Sequence, residues 1–158
     1  MVVNRDRVVV ADTNIISYVF KRQPLGNRYN HLLIGREVRL SFVTVAELNS
    51  WAEDNGWGAR RRLELKMFLS RFPMIPCTTG IPELFARTIA DRERAGRPMA
   101  TDDAWIAATA IHHDLPLVTR QEFEPPSEDA RCGSITRAMQ ACIACEFSHR
   151  SLAQSPRA

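Results

Sequence analysis

Val8-Val9-Val10-Ala11-Asp12-Thr13-Asn14-Ile15-Ile16 is the stretch on which the fold turns. A β-branched run from Arg7 to Ala11 stops at three polar residues, and Ile15, Ile16, Val19 and Phe20 then recur at helical spacing. The spacing predicts a buried strand that turns directly into a helix. A second unit of the same form follows, with Val38 to Val43 as strand and Thr44-Val45-Ala46-Glu47-Leu48 opening a helix. Pro73 to Cys77 and Leu115 to Val118 are shorter apolar segments bounded by proline or polar residues. Helical patterns cover Gly58–Phe72, Pro82–Ala95 and Thr101–His112. Strands alternating with helices imply an α/β fold, a three-layer α/β/α sandwich around a central parallel sheet, whose ligands gather at the C-terminal ends of the strands.

The chain has 158 residues, 45% of them apolar and 25% charged. These proportions fit a globular domain able to bury a core without disulfides or zinc. The texture changes after Pro125-Pro126, so the division expected is one folded domain over 1–126 and an atypical extension over 127–158, partly helical with a frayed end. Ile135, Met139, Cys142, Ile143 and Phe147 line one expected helical face there. No apolar run approaches the ~20 residues that span a bilayer. Charged residues near Met1 stand where a secretory leader needs its apolar stretch, and the four cysteines form no secreted framework, so a reducing, cytoplasmic compartment is expected. Cys142-x-x-Cys145 lacks the second short pair of a structural zinc site. The net charge of +3 is too small to name a nucleic-acid partner, but only Lys21 and Lys66 are lysines, so nearly all the positive charge is guanidinium, suited to phosphate.

The acids fall at the strand ends. Asp12 follows the first strand, Glu47 lies in the first turn of the helix after the second, and Asp102-Asp103 open the helix before the fourth. Each has a structural reading of its own: Asp12 as a helix cap, Thr44-x-x-Glu47 as a capping box, Asp102 and Asp103 as complements to a helix N-terminus. Jointly they form a carboxylate cluster that repels itself unless a cation joins it. Hard oxygen donors without interleaved His or Cys favour Mg2+ or Mn2+, and phosphodiester cleavage is the chemistry that such ions serve. The chain has no phosphate-binding Gly-Lys-Ser/Thr loop, no Gly-x-Ser-x-Gly elbow and no Gly-x-Gly-x-x-Gly fingerprint.

Val8-Val9-Val10-Ala11-Asp12-Thr13-Asn14, Val43-Thr44-Val45-Ala46-Glu47-Leu48, Asp103-Ala104-Trp105-Ile106-Ala107-Ala108-Thr109-Ala110 and Leu115-Pro116-Leu117-Val118-Thr119-Arg120 together resemble the ordered blocks of the PIN domain. The pattern is most similar to the VapC-type ribonuclease toxins of bacterial toxin–antitoxin pairs. The resemblance covers residues 7 to about 124. It implies a Mg2+- or Mn2+-dependent endoribonuclease that cuts RNA with a metal-activated water, a cognate antitoxin protein as partner, and a homodimer. Position by position, Asp12, Glu47 and Asp103 match the catalytic, metal-ligating acids. Thr13 and Asn14 would steer the Asp12 carboxylate, Thr119 would reach the pocket from the fourth strand, and Asp102 would be a helix cap or outer residue. The pattern departs at Gln121-Glu122-Phe123-Glu124, where the family commonly carries an Asn or Asp and then Asp-Phe. Either Gln121 holds a water on the ion or Glu122 substitutes as the fourth acid. The alternative from a different class is a catalytically impaired module of the same fold that binds RNA or protein.

Overall fold

The computed structural model describes residues 7–120. Gln121, Glu122 and everything expected of 127–158 lie outside the described residues. The elements run β1 (Val8–Ala11), α1 (Thr13–Phe20), α2 (Pro24–Leu33), β2 (Glu37–Ser41), α3 (Phe42–Asp54), α4 (Ala59–Leu69), β3 (Met74–Ile75), α5 (Gly80–Arg94), α6 (Thr101–His112) and β4 (Leu117–Val118). The four strands form one parallel sheet in the order β3-β2-β1-β4.

β1 is the spine of the sheet because it can be buried on both faces. Its four residues are all apolar and all buried, as parallel strands covered by helices require. Successive side chains point to opposite faces. Val9 and Ala11 join Leu40, Ile15, Ile16, Leu48 and Leu65 in one core, whereas Val8 and Val10 join Ile75, Ile106, Ala110 and Leu115 in the other. Two cores on opposite faces of a single sheet make the three layers. Close apposition of α6 is possible because Ala104, Ala107, Ala108 and Ala110 are buried with almost no side chain to accommodate. Among the described residues no helix is long and apolar enough to cross a membrane.

Chain direction fixes where a site can form. From β1 the chain moves outward to β2 and β3, then returns to place β4 on the other side of β1. The strand order therefore reverses between β1 and β4, and a crevice opens there at their C-terminal ends. Asp12 closes β1 and Thr119 closes β4 at that point.

Local expectations are corrected at the strand ends. The second strand ends at Ser41 rather than Val43, because the Ser41 hydroxyl accepts from the Val43 amide at 3.3 Å and caps α3. Thr44-x-x-Glu47 is thus no capping box, and Glu47 falls in the second turn of α3. The strands expected over Pro73–Cys77 and Leu115–Val118 shrink to two residues each, with prolines beside them that have no amide to donate. At the end of α6, His112 Nε2 lies 3.1 Å from Thr78 Oγ1, and its ring packs against Gly80.

The sequence pattern does not mark α2. Its Gly26 is buried against α1, where an added Cβ would stand 2.9 Å from the Tyr18 carbonyl oxygen and 3.0 Å from its carbon. Backbone atoms cannot swing aside as a side chain can. Gly26→Ala is therefore expected to destabilise the domain by about 1–3 kcal/mol, in spite of alanine's better helix propensity. Urea melting measures it, and a variant as stable as the parent would contradict this close approach.

Candidate active site

Asp12 is only 2% exposed, and a buried carboxylate needs partners for its oxygens. It has them on both sides. Thr119 Oγ1 donates to Oδ2 at 2.8 Å from the end of β4, and the Asn14 amide donates to Oδ1 at 3.4 Å from the first turn of α1. Asp12 is also the N-cap of α1, so the positive end of the helix dipole faces its charge. The backbone locks the same junction, the Asp12 amide donating to the Val118 carbonyl at 3.0 Å. The capping reading and the pocket reading of Asp12 thus hold together in one geometry.

Glu47 reaches the same region from α3. The Thr13 hydroxyl donates a close hydrogen bond to Glu47 Oε2, and Thr13 Oγ1 lies 3.3 Å from Thr44 Oγ1. This differs from the expected role of Thr13. Its side chain holds Glu47 and not Asp12, while Asn14 contacts Asp12 through its backbone. Burial pushes the Glu47 carboxyl above its ordinary value, the Thr13 hydrogen bond opposes that rise, and the negative charges of Asp102, Asp12 and Asp103 add to it in that order.

Asp102 and Asp103 occupy the first turn of α6, whose N-cap is Ala100. Asp102 is therefore not the cap. Asp103 is half-buried and lines a pocket with Asp12, Met99, Ile106, Ala107, Leu117 and Thr119. Asp102 is exposed, yet of the three aspartates its charge acts most strongly on Glu47. Adjacent residues on a helix diverge by about a quarter turn or more, which gives the two aspartates different views of the cleft. The outcome is a small pocket with Asp12 and Asp103 on its wall, apolar side chains from α6 and β4 around them, and Glu47 within electrostatic reach.

Among the described residues no three acids converge on one point as they stand. The donor set still suits a hard divalent ion. All the acidic donors are carboxylate oxygens, and Mg2+ is ordinarily held by one or two carboxylates with water and phosphate completing its octahedron. Repulsion among Glu47, Asp102, Asp12 and Asp103 is the stress that such an ion would relieve.

The structure brings Asp12, Thr13, Asn14, Glu47, Asp102, Asp103 and Thr119 to the carboxyl end of the sheet. The sequence reading missed Met99, Ile106 and Leu117 as pocket wall, since an apolar residue gives no signal of lining a site and not a core. Trp51, Trp57 and Trp105 pack against other rings: Trp105 stacks on Phe85 with centroids 4.0 Å apart, and Trp51 meets Trp57 edge-on at 4.6 Å. The basic cluster Arg60-Arg61-Arg62 is partly engaged, Arg61 lying over the Trp57 ring and Arg62 pairing with Glu53.

Compared with known proteins, residues 9–122 match the PIN domain. The chain is 33% identical over 117 residues to Ribonuclease VapC2 of Haemophilus influenzae, a match covering 72% of this chain and 87% of that protein. It is 30% identical over 115 residues to the tRNA(fMet)-specific endonuclease VapC of Shigella flexneri, with 72% and 87% covered. Among solved structures, a toxin-antitoxin complex from Klebsiella pneumoniae contains a similar chain, with a TM-score of 0.55 and 27% identity over 72% of this chain and 86% of that one.

Proposed function

The chain belongs to the PIN-domain family, and from that membership we propose that it is a Mg2+- or Mn2+-dependent endoribonuclease serving as the toxin of a toxin–antitoxin pair. The catalytic unit in this proposal is residues 1–126, acting in the cytoplasm as a homodimer and held inactive by its antitoxin. The observation that carries it is the buried Asp12, oriented by Thr119 at the point where the strand order reverses, with Asp103 on the same pocket wall.

Asp12 and Asp103 would hold the ion, and Glu47 completes the negative set. When bound, the ion supplies a Lewis acid for the phosphodiester and lowers the pKa of nearby water. Thr119 keeps Asp12 from rotating, so its carboxylate is ordered before substrate arrives. Thr13 does the same for Glu47. Met99, Ile106 and Leu117 exclude bulk solvent from one side of the pocket, which strengthens every charge interaction within it. Arginines of the chain would position the RNA backbone.

The test is cleavage of a single-stranded and a structured RNA with Mg2+ or Mn2+, then with EDTA. Cleavage should appear with either ion, stop with chelator and return on adding excess Mn2+. Expression should also arrest growth, and a co-expressed antitoxin should relieve it. RNA bound but uncut under every metal condition would overturn the nuclease proposal and leave the impaired binding module.

A further inference from the structure

Arg120 directly follows Thr119, the residue that fixes Asp12. Its side chain is exposed, and its Nη1 donates to the phenolic oxygen of Tyr18 at 3.0 Å. Four other arginines of the domain behave differently. Arg39, Arg60, Arg62 and Arg94 each lie against a carboxylate, whereas among the described residues none pairs with Arg120. A neutral partner orients a guanidinium without cancelling its charge.

Position adds to this. Tyr18 is half-buried on α1, four residues beyond Asn14, whose amide contacts Asp12. Four helical residues advance about 6 Å along the axis. The guanidinium is thus anchored on a residue of α1 that lies about one turn past Asn14. An arginine whose task was to neutralise the acidic pocket would sit against Asp12, Glu47 or Asp102. This one is tethered to Tyr18 instead, on an exposed residue.

We propose that Arg120 contacts an RNA phosphate flanking the scissile bond, and that Tyr18 is the positioning residue that holds it there. The inference rests on the ribonuclease reading above. A guanidinium already fixed on a phenol loses less freedom when it grips phosphate than a free side chain would. The contact is with backbone, so it should position RNA without selecting sequence.

The experiment uses an RNA cut at one site, prepared as a series in which each linkage near that site is in turn an uncharged methylphosphonate. With the parent protein, one neighbouring linkage should raise KM about tenfold when neutralised. With Arg120→Ala that penalty should vanish, because the contact is already gone. Arg120→Ala should raise KM on the unmodified RNA by a similar factor, Arg120→Lys by less, and Tyr18→Phe about threefold, with the losses on KM and not on kcat. Tyr18→Phe should add nothing further in the Arg120→Ala background. The slope of log affinity against log salt should fall by about 0.7 on losing one single-strand phosphate contact. If the parent cleaves but every linkage behaves alike with parent and Arg120→Ala, the contact is refuted and the nuclease reading stands. If the parent never cleaves, both fall together.

Discussion

Replacing Asp12 by Asn should lower metal-dependent RNA cleavage about a thousandfold while leaving the fold intact. The two halves of that expectation have separate causes. Asn caps a helix as well as Asp does, so α1 keeps its N-terminus, and its amide oxygen can still accept from Thr119 or from the Asn14 amide. Removing one charge also eases the repulsion felt by Glu47. What is lost is an anionic oxygen at the pocket, and a Lewis acid held there is worth several kcal/mol of transition-state stabilisation, equivalent to about three decades in rate. Single-turnover cleavage and thermal melting check the two halves. Cleavage at the parental rate by a folded Asp12→Asn protein would show that the pocket is not the catalytic centre.

The second large effect concerns stability and is read without substrate. Glu47 is raised above its ordinary value of 4.5, chiefly by burial and then by the charges of Asp102, Asp12 and Asp103, with Thr13 opposing. A carboxyl raised on folding contributes stability that is complete below its unfolded value and is lost as pH rises through its folded value. At neutral pH, then, the ionised Glu47 works against the fold. In EDTA at pH 8, Glu47→Gln should melt at or above the parent, since the amide oxygen still accepts from Thr13, and the difference should close as pH falls toward 4.5. Adding Mg2+ should reverse the ranking. An ion bound at about a hundred times its dissociation constant stabilises the folded parent by about 2.7 kcal/mol, several degrees in melting temperature for a domain of this size, and the variant should gain less. A parent whose melting is indifferent to Mg2+ would contradict a cation site in this cluster.

The α/β layering was legible because β1 is uniformly apolar with three β-branched valines, and the switch of period at Asp12-Thr13-Asn14 marks a strand end that needs no tertiary information. The boundary at Ser41 was not legible. Phe42 and Val43 continue the apolar run of β2, and only the hydroxyl cap shows that the helix has begun. α2 escaped because its Gly26 and its two asparagines weaken the helical pattern, although Pro24 stands at its first position, where a helix tolerates proline. That Asp12 and Asp103 share a pocket could be argued from their places at strand and helix ends. That Thr13 holds Glu47 could not, since the contact joins α1 to α3 across 34 residues and depends on how the two helices pack. The tie between Arg120 and Tyr18 was hidden for the same reason.

The most direct measurement is a crystal of the protein soaked in Mn2+, with data collected at a wavelength where manganese scatters anomalously. One anomalous peak should stand about 2 Å from a carboxylate oxygen of Asp12, with an oxygen of Asp103 in or beside its coordination sphere. A map with manganese bound elsewhere, and none between Asp12 and Asp103, would contradict the account.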